Sequence, residues 1–494
     1  MKISLREIKA ETGIGFGTSG VRAKVEELTD KLCYSYSKGF LQYLFNEGLI
    51  GKGESVAVAG DYRKSTPRIM EAVARAIADM ELSVVNCGFV PSPAISYFGN
   101  KRGMASIMVT GSHIPDDRNG IKYNLKDREI LKSDEAGITG AEIELDESLF
   151  NVDGSFTDDK KVLPEAISEA RDIYKERYLN FFSEGFLRGK KIGLYQHSAV
   201  GREVIAEILE KLGTEVVCID KSEVFVPVDT EVISEELRAK GREWSKEYGL
   251  DCIISTDGDS DRPLLADERG EWLRADTLGI LVGKYLGIEG IVAPVSCNTA
   301  LEKSGYFKKV VRTKIGSPYV LEAMMEMEKE GLLVGGYEAN GGFLLQSKIV
   351  ENSRELGALK TRDALIVPLA IIGLAKSENK KIGELAEELP RRFTQSDSVK
   401  GFPTEKALEL ISRLKEGSFE EQKEKIEEIT MMKFGEVVKV NTIDGLRVTF
   451  EGDRVVHFRP SMNAPEFRNY VEAESSEEAN ELSIKANEMI RSWM

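Results

Sequence analysis

The chain has 494 residues, 41% of them hydrophobic and 30% charged, more than one hydrophobic core can organise; the expectation is about three or four domains of ordinary water-soluble composition. A net charge of −16 argues against general binding to nucleic acid or to an anionic membrane, and any anionic substrate would need a local basic pocket. No apolar run reaches the length of a membrane span, the N-terminal segment lacks a signal-peptide core, and the five scattered cysteines (Cys33, Cys87, Cys218, Cys252, Cys297) form no CxxC pair, so a reduced, cytoplasmic protein is expected.

Residues 14–22, IGFGTSGVR, combine Gly15, Gly17 and Gly20 with Thr18 and Ser19 into a donor-rich loop that ends at Arg22. A helical pattern follows over 32–45. Residues 55–69 then read as a strand, a polar turn holding Asp61 and Arg63, and a helix starting near Ser65 with Pro67 in its first turn. A strand over 83–90 leads through a turn at Pro91 and Pro93 into another helix. The next stretch, 105–123, ASIMVTGSHIPDDRNGIKY, is the one around which the chain is organised. Ala105, Ile107, Met108 and Val109 read as a buried strand, broken at Gly111 and barred from regular structure by Pro115. Asn119-Gly120 is predicted to turn the chain into a new extended segment at Ile121. That layout lifts the Ser112 hydroxyl off the end of a core strand, sets the His113 imidazole beside it, and returns Lys122 to the same place. Strand alternating with helix is the signature of a parallel sheet covered on both faces.

The polar run 151–161 suggests a boundary. A helix over 164–184, strands over 190–196 and 214–220, and the segment 249–273, GLDCIISTDGDSDRPLLADERGEWL, form a second α/β unit. A third begins near Trp272, with helices over 275–286, around Leu301 and over 362–377, and strands over 290–296, 308–316 and 332–345. The shared rhythm hints at an internal repeat without residue identity. After about Arg392 come a polar linker over 394–400, one charged helical stretch over 404–431, short alternating strands and a helix over 476–493, which read as an α+β domain with an antiparallel sheet. The expected domains are 1–161, 162–271, 272–392 and 393–494.

Three further loops carry chemistry. In Asp257-Gly258-Asp259-Ser260-Asp261-Arg262, three carboxylates at alternate positions after the apolar strand CIIST make an oxygen-rich site for a hard divalent cation. Packing three like charges without a counterion is unfavourable, which weighs against a merely solvated turn. An EF-hand is excluded because Arg262 and Pro263 fill its sixth and seventh positions and the flanks read as strands. In GGYEANGG, 335–342, Glu338 and Asn340 offer an acceptor and an amide suited to vicinal sugar hydroxyls, although a glycine-rich turn gives the same pattern. In RPSMNAPEFR, 459–468, Arg459, Ser461, Asn463 and Arg468 suit a phosphate or carboxylate clamp, or a surface salt-bridge loop.

Taken in this order, FGTSGVR, VTGSHIPDDRNGIKY, DGDSDR, GGYEANGG and RPSMNAPEFR resemble the loops of the α-D-phosphohexomutase family over essentially the whole chain. The resemblance implies three successive mixed α/β domains with helices on both sheet faces plus a C-terminal α+β domain, heart-shaped around a central cleft. It implies a phosphohexomutase that interconverts hexose 1-phosphate and hexose 6-phosphate of mannose or glucose through phosphorylated Ser112 and a hexose 1,6-bisphosphate. It places Mg2+ on Ser112, Asp257, Asp259 and Asp261, and proton transfer or charge stabilisation on Lys122 and His113. Arg22 and Arg262 match basic residues near the transferred group, and Glu338 and Asn340 match the groups holding sugar hydroxyls. Thr313, Lys314 and Gly316 match a further substrate loop, and Arg459, Ser461, Asn463 and Arg468 match the grip on the other phosphate.

Two loops depart from the family pattern: Asn340 and Gly342 stand where the sugar loop has serine and histidine, and Met462, Asn463 and Ala464 stand where the phosphate loop has Asn-Thr-Glu. The RPSxNAP form leans toward phosphomannomutases. The alternatives are a phosphoglucosamine mutase, a sugar-phosphate phosphatase using the same serine, and a non-catalytic sugar-phosphate binder. A bisphosphate activator, a small phosphosugar as the partner, and a monomer or homodimer complete the expectations.

Overall fold

The computed structural model describes residues 2–17, 20–461 and 465–494. They form two compact units, Met1–Ile291 with Gly316–Leu385, and Val292–Ile315 with Ala386–Met494. No helix among the described residues is long and apolar enough to cross a membrane. Cys33, Cys87, Cys252 and Cys297 are buried free thiols, whereas Cys218 is exposed.

In the first unit, one five-stranded sheet runs in the order Val21–Lys24, Arg118–Asn124, Ala105–Val109, Ser55–Gly60, Ser83–Phe89. Helices Asp30–Asn46, Thr66–Asp79 and Ser92–Arg102 belong to the same layer system. The apolar sides of the first two bury Phe40, Ile69 and Val73 with Ile107 of the sheet in a common core. The Thr29 hydroxyl caps the first of these helices by accepting from the Leu32 amide, and Pro67 sits in the first turn of the second. A second sheet has the order Pro263–Ala266, Cys252–Thr256, Lys191–His197, Glu215–Lys221. Strands Val334–Tyr337, Phe343–Leu345 and Leu359–Asp363 pair antiparallel in turn.

The first two sheets are mixed rather than parallel. Ala105–Val109 and Cys252–Thr256 each pair parallel on one side and antiparallel on the other, where the chain folds straight back as Arg118–Asn124 and Pro263–Ala266. Val334–Tyr337 folds back in the same way as Phe343–Leu345. Three loops, 110–117, 257–262 and 338–342, therefore occupy equivalent places, each between a strand and its antiparallel return. This is the repeat that the strand–helix rhythm hinted at.

Several boundaries differ from expectation. Asn119-Gly120 does not turn the chain but lies inside Arg118–Asn124, opposite Ala23 and Arg22. A Cβ at Gly120 would meet the Val21 carbonyl oxygen at 2.4 Å, so the glycine serves close strand approach, and the turn falls earlier, at Pro115–Arg118. Pro91 and Pro93 do not mark a free turn: Ser92 begins a helix. The helix expected over 164–184 covers only Glu169–Phe181, because Asn86 pins the preceding segment through Pro164 and Ile167. Residue 362 is the penultimate residue of a strand rather than the start of a helix.

The second unit holds a five-stranded antiparallel sheet, ordered Phe393–Lys400, Glu466–Ala473, Arg454–Pro460, Leu446–Phe450, Val437–Asn441. Phe402, Phe434, Phe450, Phe458 and Phe467 fill its core. The stretch 394–400, expected to be a linker, is an edge strand paired along its length with Glu466–Ala473. Its polarity reflects one exposed face, as edge strands require. The single helix expected over 404–431 is two, Thr404–Lys415 and Phe419–Thr430, separated at Gly417 (φ 95°) and restarted by a Ser418–Glu421 capping box.

Candidate active site

The Ala105–Val109 strand ends in a loop whose geometry is fixed from below by Arg63. This fully buried guanidinium donates to the carbonyls of Ser112 (2.8 Å), Ile114 (2.7 Å), Pro115 (2.7 Å) and Arg118 (2.9 Å), pairs with Asp61 (3.2 Å), and lies 3.8 Å from the Phe225 ring centre. Asp61 in turn accepts from Thr110, whose hydroxyl oxygen accepts from the Ser112 amide at 2.7 Å. Ser112 is held at φ +57°, a left-handed conformation that an ordinary side chain adopts only under such constraint.

The result is a buried serine hydroxyl that donates to Asp257 Oδ2 at 2.6 Å and lies 3.4 Å from His113 Nδ1. The Asp257 carboxylate takes the amides of Asp261 and Arg262 on its other oxygen, which curls 257–262 into a tight loop. Asp259 accepts from Ser92 Oγ (2.5 Å) and Lys122 Nζ (2.5 Å), and the Ser92 amide donates to the Asp259 carbonyl. Asp261 accepts from Lys122 (2.6 Å) and from Arg362 Nε and Nη2 (3.1 and 2.9 Å).

These charges are unequal. Burial, followed by the neighbouring Asp259 and Asp261 carboxylates, pushes Asp257 well above the usual carboxylate range. At Asp261 burial acts the same way but is overcome by Arg362, Lys122 and Arg262, which hold the group ionised. His113 is pushed down to about 3 by burial and by Arg262 and Arg22, so its imidazole is neutral; with Arg262 Nη1 at 2.8 Å, Nδ1 accepts and the proton resides on Nε2. Arg22, on the strand beside Gly120, is lowered to about 10 by burial and the neighbouring Arg262, remains cationic, and buries Nε and Nη2 without a partner.

The donor set fits a hard divalent cation. Asp257, Asp259 and Asp261 each offer an oxygen within 4.8 Å of the others, and the Oδ1 atoms of Asp259 and Asp261 are buried with no hydrogen-bond partner. On the sugar-type loop, Glu338 and Asn340 are both buried. Asn340 Oδ1 accepts from the Gly342 amide, its carbonyl accepts from the Thr230 hydroxyl, and Glu338 Oε2 takes Arg362 Nη1 at 2.8 Å.

The first unit thus brings together Arg22, Ser112, His113, Lys122, the three aspartates, Arg262, Glu338 and Asn340. Gly316 belongs to this unit and caps the helix Ser317–Glu328. In the second unit Arg459 and Arg468 face each other across a hairpin, with the buried Ser461 beyond it. Arg459 pairs with Asp444 at 3.0 Å, whose other oxygen accepts from the Ile315 amide, next to Thr313 and Lys314. Asn463 lies outside the described residues. Sequence reasoning missed Arg362 and Ser92, and noted Arg63 only as part of a polar turn; both arginines stand among polar neighbours, GDYRKST and LKTRDA, which carry no signal of burial.

The phosphoglucomutase/phosphomannomutase models for alpha/beta/alpha domains I, II and III match residues 13–147, 148–270 and 274–393. The chain belongs to this family of phosphohexomutases, and it is an isomerase of that class. It is 39% identical to a phosphomannomutase of Salmonella muenchen, over 95% of this chain and 94% of that one, and 38% identical to a phosphomannomutase of Sinorhizobium fredii, over 98% and 100%. A phosphoglucosamine mutase of Dictyoglomus turgidum is 28% identical over 78% and 84%. In fold it is similar to the crystal structure of a phosphoglucomutase/phosphomannomutase family protein from Burkholderia thailandensis (TM-score 0.71, 19% identity, 96% and 97% covered).

Proposed function

We propose that this enzyme interconverts the 1- and 6-phosphates of a hexose, with mannose as the leading substrate, through phosphorylated Ser112. The observation that carries the reading is the Ser112 hydroxyl, buried and 2.6 Å from Asp257 at the edge of a three-carboxylate cluster. The names of the relatives at 38% and 39% identity support mannose.

In this reading phosphoserine 112 gives its phosphoryl group to the free hydroxyl of the bound hexose phosphate. The bond from phosphorus to Oγ breaks, one to the sugar oxygen forms, and the hydroxyl proton passes to a base. The bisphosphate turns over, and the phosphoryl group at its other end returns to Ser112. Asp257, Asp259 and Asp261, with a phosphoserine oxygen, would hold Mg2+, which would supply charge neutralisation for the group in transfer. Arg22 supplies two buried N–H groups with no acceptor among the described residues, which suits a phosphoryl oxygen. Lys122 stands between Asp259 and Asp261, where it can carry charge or a proton. Glu338 and Asn340 hold hydroxyls common to both orientations, Thr313, Lys314 and Gly316 contact the substrate, and Arg459, Ser461, Asn463 and Arg468 hold the phosphate that is not being moved.

The test is a coupled assay on mannose, glucose and glucosamine 1-phosphates with a trace of hexose 1,6-bisphosphate. Conversion of mannose 1-phosphate to mannose 6-phosphate, abolished in a folded Ser112→Ala variant, is expected. Release of free phosphate as the main product, or full turnover by that variant, would overturn the reading.

A further inference from the structure

We propose that Arg362 is a positioning residue that couples the sugar-facing carboxylate Glu338 to the metal-facing carboxylate Asp261, and that Gly342 is the other half of the same adaptation; this rests on the mutase reading above.

Arg362 is among the largest fully buried side chains of the molecule, and its planar guanidinium is fully employed. Nε and Nη2 converge on Asp261 Oδ2 at 3.1 and 2.9 Å, and Nη1 donates to Glu338 Oε2 at 2.8 Å and to Ser317 Oγ at 3.0 Å. Ser317 then donates to Glu129 at 2.9 Å, and Thr361 donates to the other oxygen of Glu129. Lys122 Nζ shares Asp261 Oδ2 at 2.6 Å, so that oxygen is taken by two cations, while the buried Oδ1 has no hydrogen-bond partner among the described residues and lies 3.7 Å from Arg262 Nε. The arrangement points the free lone pairs of Asp261 one way and fixes the carboxylate of Glu338 the other. The rigid plane places Nε and Nη2 against Asp261 and Nη1 against Glu338 and Ser317, a spread of separate donor nitrogens that the single nitrogen of a lysine does not offer.

Gly342 makes room for this. A Cβ there would lie 2.5 Å from Cδ, 2.6 Å from Cγ and 2.9 Å from Cβ of Arg362, so any side chain at 342 and Arg362 in its present place exclude each other. The family's sugar loop carries histidine where this chain has Gly342. Histidine at 342 would therefore require Arg362 to leave its present place. Because the same guanidinium neutralises both acids, a change of charge on Glu338 is felt at Asp261, and cation binding at Asp261 is felt at Glu338.

The test uses the full chain and Mn2+ as probe, titrated by electron paramagnetic resonance without sugar. Glu338→Gln should weaken Mn2+ binding by about three-fold in the parent protein, and by a negligible factor in an Arg362→Lys background. Arg362→Lys should also raise KM for the hexose phosphate by about ten-fold while kcat changes much less. Gly342→Ala keeps every charge but displaces the guanidinium, and it should abolish the same coupling if Arg362→Lys does not fold. An equal effect of Glu338→Gln on Mn2+ affinity with and without either background would overturn the proposal. A parent that binds Mn2+ yet isomerises no hexose phosphate would sink the mutase reading and leave this coupling measurable; a parent that isomerises but shows no coupling sinks this inference alone.

Discussion

At the scale of single residues, the geometry of Ser112, the proposed phosphoserine, is a product of its support. Five hydrogen bonds and one ring face hold Arg63 under the 110–117 loop; three of those bonds end on main-chain carbonyls of that loop and a fourth on the carbonyl of Arg118, where the next strand begins. Arg63→Ala would strand the buried Asp61 carboxylate and four carbonyls, so a loss of about 3–5 kcal/mol is expected by urea denaturation. Arg63→Lys keeps the charge but loses the fork, and it should still fold while taking up phosphate at Ser112 more slowly, as measured by mass spectrometry. Ser112, Lys122 and the aspartates were legible because their types and spacing are unusual next to apolar strands. Arg63 and Arg362 were not, since an arginine reads as solvent-facing until the opposing carboxylates, Asp61 for one and Asp261 with Glu338 for the other, are seen in space.

At the scale of elements, alternation and apolar runs located the central strands, and polar ones were lost. Residues 394–400 read as a linker because Thr394, Gln395, Ser396, Asp397 and Ser398 look like loop composition, yet ladder partners on Glu466–Ala473 make them a strand. Amide hydrogen exchange should therefore show protection along this segment well above that of a linker; uniform rapid exchange would contradict the pairing. Asn119-Gly120 misled in the opposite direction, since a dipeptide with strong turn preference sits where only glycine lets two strands approach. Gly120→Ala is expected to lower stability by about 1–3 kcal/mol, read from the shift in Tm, because the obstacle is the Val21 carbonyl rather than a movable side chain.

At the scale of the whole molecule, the strand–helix rhythm was enough to predict α/β units followed by an antiparallel α+β segment, but it could not show that the sheets are mixed. The parallel order is interrupted where the chemistry is, because each loop is closed by an immediate antiparallel return. Each unit also buries a neutral histidine. His197 in the first and His457 in the second are pushed down to about 4, chiefly by burial. An unfolded chain takes up a proton at each below its ordinary value of about 6.5, whereas the folded chain does so only near 4. Stability should therefore rise with pH between those values and fall by about 1.4 kcal/mol per pH unit for each histidine on acidification. Thermal melts from pH 4.5 to 7 check this. A clearly shallower profile for His197→Gln/His457→Gln than for the parent is the expected result, with His113 leaving a residual slope, and equal slopes would refute it.

The left-handed backbone at residue 112 also decides which alcohol can serve there. Threonine offers the same oxygen on the same kind of carbon, but branching at Cβ is poorly tolerated at φ +57°. Ser112→Thr should thus behave as a misplaced nucleophile rather than a hindered one, and relief should come from loosening the loop rather than from enlarging the cavity around the hydroxyl. Selection between two chemically equivalent side chains is made by main-chain torsion before any substrate arrives.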